Sequence, residues 1–502
     1  MRMLEMTKSF TRGPNKFEAG KKYVMAEDFE GQLRSTDGDC IGLSYPIEQI
    51  YRQYKGQDLT GKRIMCFRTG GIGDMSFLSP VFRHLKKKFP GVFIRMASGC
   101  KQPLENLPEI DELYDMPFDA KLLEDVDYHL MFQGIIESES DISKRTHAVD
   151  LFFNYFGIDS IHFPDEEKRP RMCFTKEEMD WMNGTFKGFG VKDDDYVVGV
   201  QMESSAPIRN FPKEKLKAVI DILAKEPGVR IFLVGTEAHA MMAGFYKGNY
   251  PNVHVACSYT VRQALIMVNR YNLVVAPDSF LVQAAGALDK PLIGLYGPFP
   301  SEVRMKYFRN AVGVEPSAVC SPCYKHDFRP CIRGFPSPCF TIVRVEDILQ
   351  AADYLRHKFT GTHFAYMANW LKAPNLADAE KYMMSADKGL CFFAGYYKHP
   401  NVVRVDSSPF VKADITSLSV EFKRDSYPFV LFMNDFSPKS KPVYDGSKGM
   451  VRPGGYFIVH CPMANEQFYS DLKRDVGAQF TVIHSKFDPV ARDFLIIGKR
   501  AF

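Results

Sequence analysis

Residues 62–80 read KRIMCFRTGGIGDMSFLSP, and this stretch decides the fold class. Its first part, KRIMCFR, is a short apolar run that is typical of a buried strand. Three glycines and Asp74 follow, and apolar residues then recur at helical spacing, which predicts a helix over residues 75–89. A buried strand, a glycine turn and an amphipathic helix indicate a parallel sheet whose faces are covered by helices.

The same alternation continues through two consecutive units, at residues 61–175 and 176–358. Predicted strands of the second unit are YVVGVQM, VRIFLVG, NVHVAC, LVVAPDS and PLIGLYGP. Residues 1–60 are an N-terminal extension with a few short strands, and residues 359–502 indicate a third α/β domain. The sequence therefore predicts an α/β protein with two Rossmann-like domains facing each other across a ligand cleft, plus this third domain.

The composition is that of an ordinary globular protein, with 502 residues, 45% hydrophobic and 25% charged. The net charge of +4 comes from 64 basic and 60 acidic residues, which is too balanced to indicate nucleic acid or membrane binding. We see no apolar run long enough for a transmembrane helix and no signal core, so a cytoplasmic location is expected.

The glycine turn before Asp74 has two interpretations. Gly70, Gly71 and Gly73 permit a sharp turn and a close approach of the backbone to a ligand, and the following helix start is a natural anion site. However, the pattern is not GxGxxG, and no Walker lysine follows. The alternative is a plain turn in which Asp74 caps the helix, and the residues alone leave both interpretations open.

Two loops of the second unit follow predicted strands at the same edge of the sheet. Arg209 follows YVVGVQM, and Asp278 and Ser279 end LVVAPDS. Asp278 and Ser279 either cap the next helix or aim backbone amides at a diphosphate. A cation such as Arg209 would stabilise a leaving phosphate, although a solvated loop arginine is the alternative.

Three segments carry a resemblance in order and spacing across residues 62–355: RTGGIGDMSFLSPVFRHLKKKFP, PIRNFPKEKL and PDSFLVQAAGALDKPLIGLYGP. Together they resemble the heptosyltransferase-type family of glycosyltransferases, family nine. The resemblance implies a GT-B fold and an inverting transfer of a heptose-like or other sugar from a nucleotide-diphosphate donor, with an ADP-sugar favoured. The acceptor would be a glycan or another hydroxyl-bearing molecule, and catalysis would need no metal or other cofactor.

The resemblance also implies site residues. Asp74 matches the general base, and the acceptor-side turn would be Gly70, Gly71 and Gly73. The donor-binding positions are Arg209 at the donor phosphate, Asp278 and Ser279 at the diphosphate, Glu237 near the ribose, and Gln283 and Gly297. Phe280 and Gln283 replace a glycine and a histidine of the family pattern. These departures motivate an alternative function, a catalytically inactive glycosyltransferase-like binding or structural protein.

A cysteine cluster lies in CSPCYKHDFRPCIRGFPSPC. Four thiols within twenty residues predict either a structural tetrahedral zinc site or loop disulfides, with simple loop cysteines as the alternative. The four residues are Cys320, Cys323, Cys331 and Cys339.

The C-terminal domain has a resemblance of its own. Its strands NVVRVD, YPFVLFMNDF and GGYFIVHCP resemble the later strands of methyltransferases that use S-adenosylmethionine, with Asp406 at the position of the cofactor ribose. The glycine-rich first loop is missing, because the chain reads GLCFFAGYYKHP there. The alternatives are an active methyltransferase and a degenerate module kept for packing or for a protein partner.

Overall fold

The computed structural model describes residues 1–47, 52–136, 145–316, 320–325, 330–366, 389–392, 402–405, 427–433, 448, 451–462, 466–488 and 493–499. The chain divides into two compact units. The first comprises residues 1–210, 230–311 and 324–329, and the second comprises residues 211–229, 312–323 and 330–502.

The N-terminal residues form a small antiparallel sheet with its own apolar core. Its strand order is β5-β1-β4-β9, where the strands are β1 (Arg2–Met6), β4 (Lys22–Met25), β5 (Ile41–Pro46) and β9 (Phe118–Asp119). A hairpin of β2 (Phe10–Arg12) and β3 (Asn15–Phe17) and helix α1 (Glu27–Asp37) complete this region. The short strands expected here are therefore part of a folded sheet.

The first parallel sheet has the order β10-β6-β7-β8. Its strands are β6 (Arg63–Arg68), β7 (Phe93–Ser98), β8 (Glu112–Asp115) and β10 (Tyr128–Met131). The associated helices are α2 (Ile72–Ser76), α3 (Ser79–Lys88), α4 (Ala148–Tyr155), α5 (Asp165–Lys168) and α6 (Lys176–Gly188).

The single helix predicted over residues 75–89 is wrong, because two helices, α2 and α3, occupy this stretch. Pro80 accounts for the break. It has no N–H to donate to the carbonyl of Ser76, so a helix cannot continue through it without losing a hydrogen bond, whereas proline is well tolerated in the first turn of a new helix.

The second sheet has the order β13-β12-β11-β14-β15-β16, and the pairs β12–β13, β11–β14 and β14–β15 are parallel. The strands are β11 (Tyr196–Gln201), β12 (Val229–Val234), β13 (Val253–Ala256), β14 (Leu273–Pro277), β15 (Leu292–Leu295) and β16 (Ala311–Val314). The helices that follow α6 are α7 (Lys213–Leu223), α8 (Ala240–Lys247), α9 (Val261–Met267), α10 (Phe280–Ala287), α11 (Glu302–Met305), α12 (Pro338–Ile342) and α13 (Val345–Thr360). The predicted α/β class with parallel sheets is confirmed.

The C-terminal sheet has the order β18-β17-β19-β20-β22-β21. The strands are β17 (Gly389–Phe392), β18 (Val402–Val405), β19 (Tyr427–Met433), β20 (Val451–Pro462), β21 (Thr481–Asp488) and β22 (Asp493–Lys499), with helix α14 (Glu466–Gly477). The first four strands in this order are parallel, and β22 runs antiparallel to β20 and β21. Asp406 lies outside the described residues, so its predicted cofactor role stays a prediction. Among the helices described, none has the length and apolar character needed to cross a bilayer.

Candidate active site

Asp74 lies on the turn that follows β6, as the third residue of the short helix α2. Gly71 precedes the helix with φ of 83°, in the left-handed region that favours glycine. A Cβ atom on Gly71 would collide with the Asp74 carboxylate, which folds back over this glycine. The residue that precedes α2 is Gly71, and Asp74 lies inside the helix. The described residues show no side-chain hydrogen bond that caps α2, so the interpretation of Asp74 as a helix cap is wrong.

Arg68, the last residue of β6, holds the Asp74 carboxylate. Its side chain is fully buried; Nη1 donates to the carbonyl oxygen of Phe132 at 2.9 Å, and Nη2 lies 3.1 Å from Asp74 Oδ2. The guanidinium is thus fixed by the main chain on one side and orients Asp74 on the other. The Asp74 side chain remains 36% exposed, so its carboxylate can meet a ligand from solvent.

Asp278, just after β14, is buried between two arginines. Arg209 Nη1 donates to the Asp278 carbonyl oxygen at 2.8 Å and lies 3.7 Å from Oδ2, and Arg304 Nε lies 3.8 Å from the same Oδ2. No described residue donates a hydrogen bond to that oxygen. Arg304 is itself buried, with its guanidinium 4.7 Å from the Phe299 ring centroid. Two guanidinium groups and one carboxylate leave a net positive charge, which favours an anionic ligand at this site.

Gln201, the last residue of β11, fixes the turn that leads into α10. Its Nε2 donates to Ser279 Oγ at 2.6 Å, and its Oε1 accepts from the N–H of Leu281 at 3.3 Å. Ser279 makes no side-chain cap to α10 within the described structure, so its predicted alternative role as a cap is wrong. The hydroxyl is instead held by a buried amide from the neighbouring strand.

Helices α2 and α10 bring the Asp74 turn and the Asp278–Phe280 turn together. A Cβ on Gly73 would lie 2.7 Å from Gln283 Cγ and 3.5 Å from Phe280 Cα. Gln283 is buried, and none of the described groups hydrogen-bonds to its Oε1. The two residues that depart from the family pattern, Phe280 and Gln283, therefore form the surface on which the Asp74 turn packs.

The remaining predicted site residues are Gly297, Glu237 and Gly70. Gly297 is buried two residues after β15 ends, and Glu237 is exposed at the first residue of a 3-10 turn (Glu237–His239) after β12. A Cβ on Gly70 would have no heavy atom of the described chain within 4 Å.

The structural zinc site predicted at the four cysteines stays a prediction. All four are described and are free thiols, and the described residues show no group of three or more His, Cys, Asp or Glu placed to hold a metal ion. A tetrahedral site needs four sulfurs at about 2.3 Å from one point. Here Cys323 is exposed whereas Cys339 is buried. Burial raises the pKa of the Cys339 thiol to about 11, and the nearby Cys320, Cys331 and Cys323 add to this.

Sequence reasoning missed Arg68, Gln201 and Arg304. The first two had a visible signal, because each is a long polar side chain that ends an otherwise apolar strand. Arg304 had none, because it lies in α11, far along the chain from Asp278, and only the fold brings the two together.

Residues 136–330 match the family model of glycosyltransferase family 9 (heptosyltransferase). No curated protein matches the chain.

Several solved structures are similar to the chain. A family 9 glycosyltransferase from Veillonella parvula has 17% identity and a TM-score of 0.49, covering 60% of this chain and 99% of that chain. The ADP-heptose LPS heptosyltransferase II of E. coli has 15% identity and a TM-score of 0.46, covering 59% and 99%. E. coli heptosyltransferase WaaC with ADP-2-deoxy-2-fluoro heptose has 15% identity and a TM-score of 0.40, covering 58% and 99%.

The region matched by the family model includes Arg209, the Asp278–Phe280 turn, Gln283 and Arg304. Residues 136–330 are therefore similar to glycosyltransferase family 9 (heptosyltransferase).

Proposed function

We propose that the protein transfers a sugar from a nucleotide-diphosphate donor to an acceptor hydroxyl, with inversion at the anomeric carbon. The supporting observation is the packing of Gly73 on Gln283, which puts the Asp74 turn beside the turn that carries Asp278. An ADP-sugar is the favoured donor, because the similar E. coli enzymes are described with ADP-heptose or an analogue of it.

Asp74 acts as the general base in this proposal. The acceptor oxygen attacks the anomeric carbon while its proton passes to the Asp74 carboxylate. A new carbon–oxygen bond forms on one face of the sugar, and the bond to the diphosphate breaks on the other. General base catalysis of this kind contributes roughly 10²–10⁴-fold. Arg68 keeps the carboxylate in place from a buried position.

The diphosphate leaves with the electron pair of the broken bond, so negative charge grows on it. Arg209 and Arg304 would stabilise this charge, because both guanidinium groups lie beside Asp278. The start of α10 adds backbone N–H groups and the positive end of a helix dipole. Removing one well-placed group that stabilises such charge costs about 3–4 kcal/mol of barrier.

A binding protein without catalysis is the second candidate. Phe280 and Gln283 support it, because they put bulk at the start of α10, where a phosphate would meet the backbone. Under this alternative the nucleotide sugar, or its nucleotide, binds without turnover.

An assay with a panel of nucleotide diphospho-sugars tests the proposal. We expect nucleotide release and a glycosylated product with at least one donor, and a loss of roughly 10²–10⁴-fold in kcat for Asp74→Asn with donor affinity retained. Asp115→Asn is the matched control, because Asp115 is an exposed carboxylate paired with Lys101 at 2.6 Å. Full turnover by Asp74→Asn contradicts its role as base. Donor binding without turnover in the unaltered protein favours the second candidate.

A further inference from the structure

Tyr324 has an unusual backbone conformation, and the mechanism above gives this residue no role. Its φ of 55° lies in the left-handed region, which is rare for a bulky side chain. Such a conformation costs free energy and persists only where the surrounding structure enforces it. Tyr324 therefore needs contacts that hold it in place.

Two neighbours hold Tyr324. Its N–H donates to the carbonyl oxygen of Pro298 at 2.7 Å, which ties the strained residue to the segment that follows β15. The Arg145 guanidinium lies over the Tyr324 ring, 4.5 Å from its centroid, and Arg145 Nη1 lies 3.5 Å from the hydroxyl oxygen. The backbone and the ring of Tyr324, which is partly buried, are thus both fixed.

The Tyr324 ring in turn packs against Phe299. The two ring centroids lie 6.0 Å apart at an interplanar angle of 89°, the edge-to-face arrangement that aromatic pairs favour. Phe299 is buried, and the Arg304 guanidinium lies over its ring, 4.7 Å from the centroid. Because a cation is attracted to the face of an aromatic ring, the orientation of Phe299 determines where this guanidinium lies. The contacts therefore run from Tyr324 through Phe299 to Arg304.

We propose that Tyr324 is a positioning residue for Arg304 and acts through Phe299. The inference rests on the proposed function, in which Arg304 binds the donor diphosphate beside Asp278. An arginine side chain loses much rotamer freedom when a ligand orders it, so contacts that order it beforehand strengthen binding. Without the Tyr324 ring, Phe299 is free to turn, and the Arg304 guanidinium loses its fixed place.

Calorimetric titration tests this role. ADP, GDP, UDP and CDP are titrated first, and the tightest of them serves as the probe. We expect Tyr324→Asn to bind the probe roughly three- to fivefold more weakly, because Arg304 keeps its charge but is no longer held. Asparagine tolerates the left-handed backbone, so this variant keeps the local fold. Tyr324→Phe keeps the ring and should bind the probe as the unaltered protein does.

A double variant distinguishes positioning from general packing. An Arg304→Gln protein has no guanidinium left to position, so adding Tyr324→Asn should weaken binding no further. Tyr23→Leu is the matched control, because Tyr23 makes a similar edge-on ring contact with Phe17, at 5.0 Å, in the N-terminal sheet. Its loss should leave the affinity for the probe unchanged.

Four results overturn the inference and leave the proposed function standing. They are unchanged affinity in Tyr324→Asn, an equal loss in Tyr324→Phe, an equal loss in Tyr23→Leu, and losses from Tyr324→Asn and Arg304→Gln that simply add. Failure of all four nucleotides to bind the unaltered protein overturns both the inference and the proposed function.

Discussion

Arg304 shows how one side chain can change the charge of a binding site. Without it, Asp278 and Arg209 would form a neutral pair; with it, the three groups carry a net positive charge. The Arg304 backbone is tied down as well, because its carbonyl oxygen lies 3.3 Å from His147 Nε2. A fixed, buried cation is far more effective toward an anion than a mobile surface one, because water screens it less.

We predict that Arg304→Gln weakens binding of the preferred nucleoside diphosphate about tenfold, which corresponds to about 1.4 kcal/mol. Arg304→Lys keeps the charge and should recover part of the affinity. Titration at several salt concentrations checks the physical cause, since a lost charge also lowers the salt dependence of binding. The control is Arg309→Gln, at an arginine side chain that is 55% exposed. Unchanged affinity and salt dependence in Arg304→Gln would contradict this account.

The contact of α2 with α10 leaves no room for a side chain at Gly73. A Cβ there would overlap Gln283 Cγ, which is itself buried and has little space to move. We predict that Gly73→Ala destabilises the protein by about 1–3 kcal/mol, the usual cost of overpacking. Calorimetric unfolding would show this as a lowered Tm.

Gly70→Ala is the control for the same turn, because a Cβ at Gly70 meets no described heavy atom within 4 Å and its effect should be below about 0.5 kcal/mol. Adding Gln283→Ala to Gly73→Ala should restore part of the loss by removing the overlapping atom. Equal melting of the two glycine variants would show that the helices separate without cost.

The helices and strands were easier to predict from the sequence than the side-chain contacts between them. Strands such as β6, β11 and β14 are apolar runs bounded by turn residues, so the local sequence identifies them. The pairing of Gln201 with Ser279 depends on strand order, which brings together residues far apart in the chain. The zinc prediction stays a prediction for a related reason. Cysteine spacing gives the number of possible ligands but not whether their sulfurs converge on one point.

At the scale of the first compact unit, a buried polar cluster joins α4 to the segment after α11. Asp150 Oδ2 accepts from the Tyr307 hydroxyl at 2.5 Å, and Oδ1 accepts from Lys168 Nζ at 3.0 Å. Although burial opposes it, these bonds hold the pKa of Asp150 below its ordinary value, and burial with the Asp150 contact raises that of Tyr307. His147 lies beside this cluster, with its ring edge-on to Tyr307.

His147 makes the stability of this region sensitive to acid. Its Nδ1 accepts the N–H of Val149 at the start of α4, so the ring is neutral and protonation would remove the helix cap. Burial lowers the pKa of His147 to about 3 from an ordinary 6.5; the charges of Arg304 and Lys306 add to this, and Asp150 opposes it. The unfolded chain therefore binds the proton first, and the contribution to stability, complete above pH 6.5, is lost as the pH falls toward 3.

We expect about 2 kcal/mol of the free energy of unfolding to be lost by pH 5 through protonation of His147 in the unfolded chain. His147→Asn keeps a cap that does not titrate, so its Tm should fall less between pH 7 and 5, whereas His162→Asn, at an exposed site, should follow the unaltered protein. Parallel Tm curves for His147→Asn and the unaltered protein would show that this histidine is not the acid-sensitive group.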